Sequence, residues 1–320
     1  MPSSTSSSED RRAARRLGAL AAAFLAINAF ILAVWQLVPF TSISEERYLA
    51  TIEDHLLMLE RSKGQPGRVV VLGGSDVAFS ISAETLASGL DRPVYNGGIQ
   101  ASMGFRNLMD LYLPHLDPER DLIVLSVEPY LLIGDSRHSQ SWCDVIYLRR
   151  DLAGLLARPR CVPQIVDRTF SEVRYHVQTP PAVDPVYRRS GFNAVGDQTA
   201  HLQLEWPPPD LTGHSYAGLT DTMVTRFERY VGRELRDRGF AIAYMPSFMP
   251  ERTCKAERQR LEALVERLSR LSTRPAPHYS LEQSCLPEEM FLDGAGHLNA
   301  RGRLVATRRA RDAILYASQN

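Results

Sequence analysis

The sequence predicts an α/β protein built on a parallel sheet, preceded by one apolar helix. Three observations carry this. Short apolar segments recur along the chain between stretches of helical periodicity, and such alternation favours a parallel sheet covered on both faces. Residues Leu17 to Val38 run without a charge, long enough to cross a hydrocarbon core of roughly 30 Å as a helix. The 320 residues are 44% hydrophobic, enough apolar material for a sizeable core.

Taken in order, residues 1–16 form a basic tail: a serine-rich start, then Arg11, Arg12, Arg15 and Arg16. An arginine cluster before an apolar span predicts a cytoplasmic N-terminus and an exported remainder. Trp35 near the far end of the span suits the membrane interface. The apolar region of a cleaved signal peptide is usually about 7–15 residues, so residues 17–38 read as an uncleaved single-pass anchor in the inner membrane. Residues 39–66 read as a stalk: Ser42-Ile43-Ser44-Glu45 resembles a capping box, and Tyr48, Leu49, Ile52, Leu56 and Leu59 follow with helical spacing. The stalk ends at Gly64-Gln65-Pro66-Gly67, and the folded domain is expected over 67–320.

Within that domain the predicted strands are Arg68–Leu72, Val94–Asn96, Leu122–Val127 and Phe240–Met245, with a weaker fifth near His278–Leu281. Helical patterns cover Ala83–Leu90, Gly104–Leu116, Asp221–Arg238 and Arg258–Leu271. One long interruption, about 134–219, contains the breakers Thr179-Pro180-Pro181 and Trp206-Pro207-Pro208-Pro209. A connection of this length reads as a lid or binding insertion flanking the site.

The 37 basic and 37 acidic side chains balance, so no general attraction to nucleic acid is expected. Cys143, Cys161, Cys254 and Cys285 lack metal-like spacing. Outside the cytoplasm they would pair by proximity as Cys143–Cys161 and Cys254–Cys285, and buried thiols are the other reading.

The chemistry-bearing residues fall in three places. After the first strand stands Gly73-Gly74-Ser75, a serine on a tight turn at the sheet edge where α/β proteins bind ligands. It reads either as a nucleophile awaiting a base or as a helix cap. Near the chain's end, Asp293 precedes His297 by four residues across Gly294 and Gly296. An aspartate so placed orients and stabilises an imidazole, as a triad requires; the plainer reading makes Asp293 a cap of the final helix. Between these, Tyr95-Asn96-Gly97-Gly98 closes the second strand with a glycine pair whose amides would join that of Ser75 around an oxyanion.

Together these elements resemble the SGNH (GDSL-like) hydrolase superfamily, nearest its membrane-anchored branch related to polysaccharide O-acetylation proteins and the D-alanyl transfer protein of teichoic acids. The resemblance covers about residues 68–130 and 240–316. It implies a flavodoxin-like three-layer α/β/α sandwich. It also implies Ser75 as nucleophile, His297 as base, Asp293 as its orienter, and Gly74, Asn96, Gly97 and Gly98 around the oxyanion. Two departures stand out. Three residues separate Asp293 from His297 where the common pattern has two. The third block, Gly-x-Asn-Asp in the family, is replaced by Ser126-Val127-Glu128-Pro129-Tyr130, leaving Asn96 or Gln100 to stand in for the oxyanion asparagine. Glu128 reads as pocket lining or as a surface carboxylate. Met245-Pro246-Ser247 reads as pocket wall, and Arg308, Arg309 and Arg311 as a solvated helix face.

The expectation is an anchored, periplasm-facing or extracellular serine esterase or O-acyltransferase. It would act on acyl groups of cell-envelope or secreted glycans, with an acyl-donor membrane protein as partner and no cofactor or metal. The alternative is a noncatalytic envelope protein that uses the same fold to bind glycan or a membrane partner.

Overall fold

A computed structural model describes residues 6–134, 139–204, 209, 216, 218–274, 280–294 and 296–318. In chain order the elements used below are α1 (Ser6–Leu37), α2 (Thr51–Ser62), β1 (Val69–Leu72), α3 (Ser75–Ser80), α4 (Ala83–Leu90), β2 (Val94–Asn96), α5 (Phe105–Tyr112) and β3 (Leu122–Val127). They continue with α6 (Leu152–Ala157), α7 (Val162–Val177), α8 (Asp221–Val231), β4 (Ala241–Pro246), β5 (Met249–Pro250), α9 (Arg258–Ser269), β6 (Cys285–Leu286) and α10 (Ala300–Ser318). The chain divides into two units, residues 1–45 with 146–182 and residues 46–145 with 183–320.

The larger unit is mixed α/β with a four-stranded parallel sheet in the order β2-β1-β3-β4. Val69 lies opposite Val94 on one side and Leu122 on the other, and Leu122 opposite Ala241. The strands read as near-continuous apolar runs because both sides of a parallel sheet are excluded from water; all of β1 and β3 is buried. Val69, Val71 and Val124 share a core with Leu86 of α4, Leu261 and Val265 of α9, and Ala306, Ala310 and Ala313 of α10. Alanine at those α10 positions lets the helix backbone approach the sheet closely. At the far edge of the sheet the buried Arg68 guanidinium forks onto Asp121 at 2.7 and 2.5 Å and also donates to the Leu59 carbonyl. Such a pair resists removal of either partner, since the other is left charged and dry.

Several expectations need correction. The amphipathic stretch read as a stalk belongs to this unit: Ile52, Leu56 and Leu59 of α2 are buried. The unit therefore begins at Glu46 rather than after the Gly64–Gly67 break. The helix expected to Leu116 stops at Tyr112 and tightens into a 3₁₀ turn over Leu113–His115 around Pro114. The helix expected to Arg238 leaves α-geometry at Gly232 for a π-turn over Gly232–Arg236. Residues 278 and 279 of the weak fifth strand lie outside the described residues, and Leu281–Ser284 is a one-turn helix. The strand that follows it, β6, pairs in parallel with β5 in a separate two-stranded sheet. A Cys254–Cys285 disulfide spans 6.1 Å between Cα atoms beside it, and no described cysteine is free. The interruption is not one body either, because residues 146–182 go with the N-terminal helix and 183–219 with the sheet. Trp206, Pro207 and Pro208 lie outside the described residues.

The smaller unit is built on α1, whose stretch Asp10–Leu37 contains 18 consecutive residues with a mean hydropathy of 2.4 and is long and apolar enough to cross a membrane. Its C-terminal end is tied down by polar bonds. The Trp35 indole donates to the Tyr147 carbonyl at 3.0 Å, and Arg150 to the Val38 carbonyl at 2.5 Å. Glu172 of α7 accepts from the Thr41 amide and the Ser44 hydroxyl.

Candidate active site

The nucleophile candidate is delivered by the β1–α3 turn. Ser75 is the first residue of α3 and Gly74 is its N-cap, with no side-chain cap bond. Gly74 has ordinary extended dihedrals, so conformational freedom is not why glycine stands there. Space is: a Cβ on Gly74 would come within 1.7 Å of Glu128 Oε1. The capping reading of Ser75 does not hold, because its hydroxyl lies 2.8 Å from His297 Nε2.

His297 is held by the segment before α10. Its carbonyl accepts from the Leu292 amide at 2.8 Å, and Phe291 bridges Leu298. The cap of α10 is Asn299, whose side-chain oxygen accepts from the Arg301 and Gly302 amides. Asp293 is thereby free of capping and lies 2.8 Å from His297 Nδ1. The imidazole stacks on the buried Phe79 ring of α3, with centroids 4.3 Å apart and planes 16° from parallel. Ser75, His297 and Asp293 thus come together from opposite ends of the sequence. With Nδ1–H given to the aspartate, Nε2 presents its lone pair to the serine hydroxyl.

A fourth residue was not foreseen. Tyr187, from the second half of the interruption, donates its hydroxyl to Asp293 Oδ2, and the same oxygen lies 2.9 Å from His297 Nδ1. An aspartate turn sets it up locally, Asp184 accepting from the Val186 and Tyr187 amides at 2.8 Å each. The Tyr48 and Phe79 rings flank it at 5.9 and 5.5 Å. Burial pushes the Tyr187 phenol up, as does its bond to Asp293, so it stays a donor. Burial alone would raise Asp293, but the His297 and Tyr187 hydrogen bonds outweigh it and hold the carboxyl below its ordinary range.

The block around Asn96 takes a different role from the one expected. Gly97 N–H donates to the Val71 carbonyl at 2.8 Å, and Gly98 N–H to Asn96 Oδ1 at 2.9 Å. Neither amide is left for an oxyanion. The Asn96 side chain is fully buried and donates to the carbonyls of Val77 and Ile81 and to Asp197. Asp197 in turn meets Arg303 of α10 at 3.4 Å. Asn96 therefore fastens the helix that begins at Ser75 to the sheet. Gly98 is glycine because a Cβ would approach the Ala78 amide nitrogen to 2.3 Å. The Ser75 amide is not engaged in this way and lies in the first helical turn, where amides lack intrahelical acceptors.

Glu128 is neither on the surface nor ordinary. Its carboxyl sits between Gly74 and Gly296, the residues that precede Ser75 and His297, as the close approach of its oxygens to both positions shows. It shares a hydrogen bond with the buried Asp76 carboxyl. Burial first, then the Asp76 charge, pushes Glu128 well above the usual carboxylate range. Burial likewise pushes Asp76 up to about 6 against the pull of the Val77 amide, the Glu128 bond and the His297 charge. Glu128 Oε1 and Asp76 Oδ1 accept no hydrogen bond from the described residues. The pair thus lies directly behind the turn that carries Ser75.

Among the described residues no group of three or more His, Cys, Asp or Glu side chains is placed to hold a metal ion. Comparison of the chain with known protein families, curated proteins and solved structures finds no match.

Proposed function

We propose that the chain is a membrane-anchored serine esterase or O-acyltransferase of the SGNH type, acting on acyl groups of cell-envelope or secreted glycans. The observation that carries this reading is the unbroken chain of contacts from Ser75 Oγ through the His297 imidazole to Asp293. In the reaction, Ser75 Oγ attacks the acyl carbonyl carbon as His297 Nε2 takes its proton. The tetrahedral oxyanion is met by the Ser75 amide; the C–O bond to the leaving alcohol then breaks as His297 returns the proton to it. Water or a glycan hydroxyl, deprotonated by the same imidazole, attacks the acyl-serine and frees the enzyme.

The strand order supports the flavodoxin-like sandwich that the resemblance implies. The arginines in the first turns of α1, ahead of its uncharged run, support an inner-membrane anchor with the larger unit on the periplasmic or extracellular side. A second reading, a noncatalytic glycan-binding or partner-binding protein, is favoured by one observation: the Gly97 and Gly98 amides are already engaged. A fluorophosphonate probe separates the two readings. Ser75 Oγ should displace fluoride at phosphorus, and the phosphonyl adduct should map to the Ser75 peptide by mass spectrometry. Full-length protein in detergent that gains no adduct at Ser75 would leave the binding reading.

Tyr187 supplies a finer test. Replacing Tyr187 with Phe removes one donor from a largely buried carboxylate, which should lower kcat by about tenfold, the rate equivalent of a net hydrogen bond of about 1.4 kcal/mol. Steady-state hydrolysis of p-nitrophenyl acetate by wild type and Tyr187→Phe in detergent checks this. An unchanged kcat would reduce Tyr187 to packing.

A further inference from the structure

Between α6 and α7 the smaller unit makes an elbow. It packs on α1: Leu152, Leu155 and Leu156 line a cavity of about 140 Å³ together with Asn28, Ile31 and Leu32. Leu152 and Leu156 at its rim stay open, 44% and 75% exposed. Phe24, Ile27 and Phe30 of α1 are exposed as well.

Depth follows from helix geometry. Ile31 and Leu32 lie well inside the uncharged run that ends at Val38, about 10 Å short of its end at 1.5 Å per residue. α7 rises beside α1 from that level. Ile165 sits at the cavity, whereas His176, near its other end, meets the Pro39 carbonyl at 2.9 Å, just past the run. Anything that packs on Ile31 and Leu32 is therefore carried to hydrocarbon depth if Leu17–Val38 crosses the bilayer. The elbow's backbone is fit for that environment, which demands internal satisfaction of amides and carbonyls. The Leu155 amide bonds the Asp151 carbonyl, that of Arg158 the Leu155 carbonyl, and that of Cys161 the Arg158 carbonyl, while the Asp151 side chain caps the Gly154 amide at 2.8 Å.

We infer that the α6–α7 elbow is a second membrane-embedded element, dipping into the acyl-chain region of the leaflet at the C-terminal end of α1, with Leu152 and Leu156 against lipid. A two-point hold fixes the smaller unit in rotation about the bilayer normal, which a single helix does not. The inference rests on α1 being an anchor and is independent of the chemistry proposed at Ser75.

Site-specific fluorescence tests it. Since no described cysteine is free, one introduced cysteine can be labelled with an environment-sensitive nitrobenzoxadiazole dye in the full-length protein. The positions are Leu156→Cys on the elbow, Ile27→Cys on α1, and Ser88→Cys on the exposed side of α4. Each variant is reconstituted into phosphatidylcholine–phosphatidylglycerol vesicles whose acyl chains carry doxyl quenchers. Dye at 156 should be quenched at least about half as deeply as dye at 27, with a blue-shifted emission, while dye at 88 is unaffected. Quenching at 27 without quenching at 156 would overturn the elbow and leave the anchor standing. Absence of quenching at both positions would overturn both.

Discussion

Replacing Ser75 with alanine is expected to abolish esterase activity and leave the fold unchanged. The hydroxyl's role is confined to the site: it meets His297 Nε2 at 2.8 Å and caps nothing. Alanine is the best helix former and suits the first position of α3. Stability should therefore hold within about 0.5 kcal/mol, the range of substitutions that leave core and caps untouched. Activity has no such tolerance. Without the nucleophile no acyl-enzyme forms, and kcat/KM for p-nitrophenyl acetate should fall at least about 10³-fold, with only oxyanion stabilisation and binding left. The His297→Ala variant should fall by a similar factor. The double variant should be no worse than either single one, because the two groups act in one proton transfer. Steady-state hydrolysis by the full-length protein in detergent, beside thermal unfolding of each variant, checks this. Equal rates for wild type and Ser75→Ala would end the catalytic reading of this serine.

What the sequence made legible, and what it did not, divides along the range of the interactions involved. The sheet strands announce themselves because a parallel strand is buried on both sides and reads Val-Val-Val-Leu without relief. Ser75 and His297 stood out because each directly follows a glycine, one after a recognisable strand and the other before a long helix. Tyr187 carries no such mark. It is one of the chain's 12 tyrosines, and only folding of the interruption onto the sheet unit places its hydroxyl on Asp293. The Asn96 block misled for a related reason. Gly-Gly after a strand suits exposed oxyanion amides and tight backbone packing equally, and the deciding partners, the Val71 carbonyl and the Asn96 side chain itself, are set by register. Glu128 looked like a surface acid because acids usually are. Its burial is intelligible only beside Gly74 and Gly296, whose missing Cβ atoms make room for it.

That buried acid gives the chain a distinctive pH dependence. Asp76 and Glu128 both hold protons more tightly in the folded state than in the unfolded chain, because burial opposes their charging. Groups raised in this way favour folding fully below their unfolded values, and the benefit is lost as pH rises through the folded ones. For Asp76 the window runs from its ordinary 3.8 to about 6, worth about 3 kcal/mol. Glu128, shifted further, extends the loss to higher pH. Other groups pull the opposite way. Burial lowers His55 to about 4, so the folded state resists its charging in acid, and Asp293, held below its ordinary range, loses its contribution as pH falls. A bare stability curve mixes all of these. The double variant Asp76→Asn with Glu128→Gln removes only the acid pair and keeps its shape. Its unfolding free energy minus that of wild type should therefore rise by more than about 3 kcal/mol between about pH 4 and pH 7, the Asp76 share with that of Glu128 added to it, whatever constant offset the new amides bring. Urea unfolding of both proteins across that range gives the difference directly. A flat difference curve would mean that Asp76 and Glu128 ionise as freely in the folded protein as in the unfolded chain, and that the space between Gly74 and Gly296 admits water to both carboxyls.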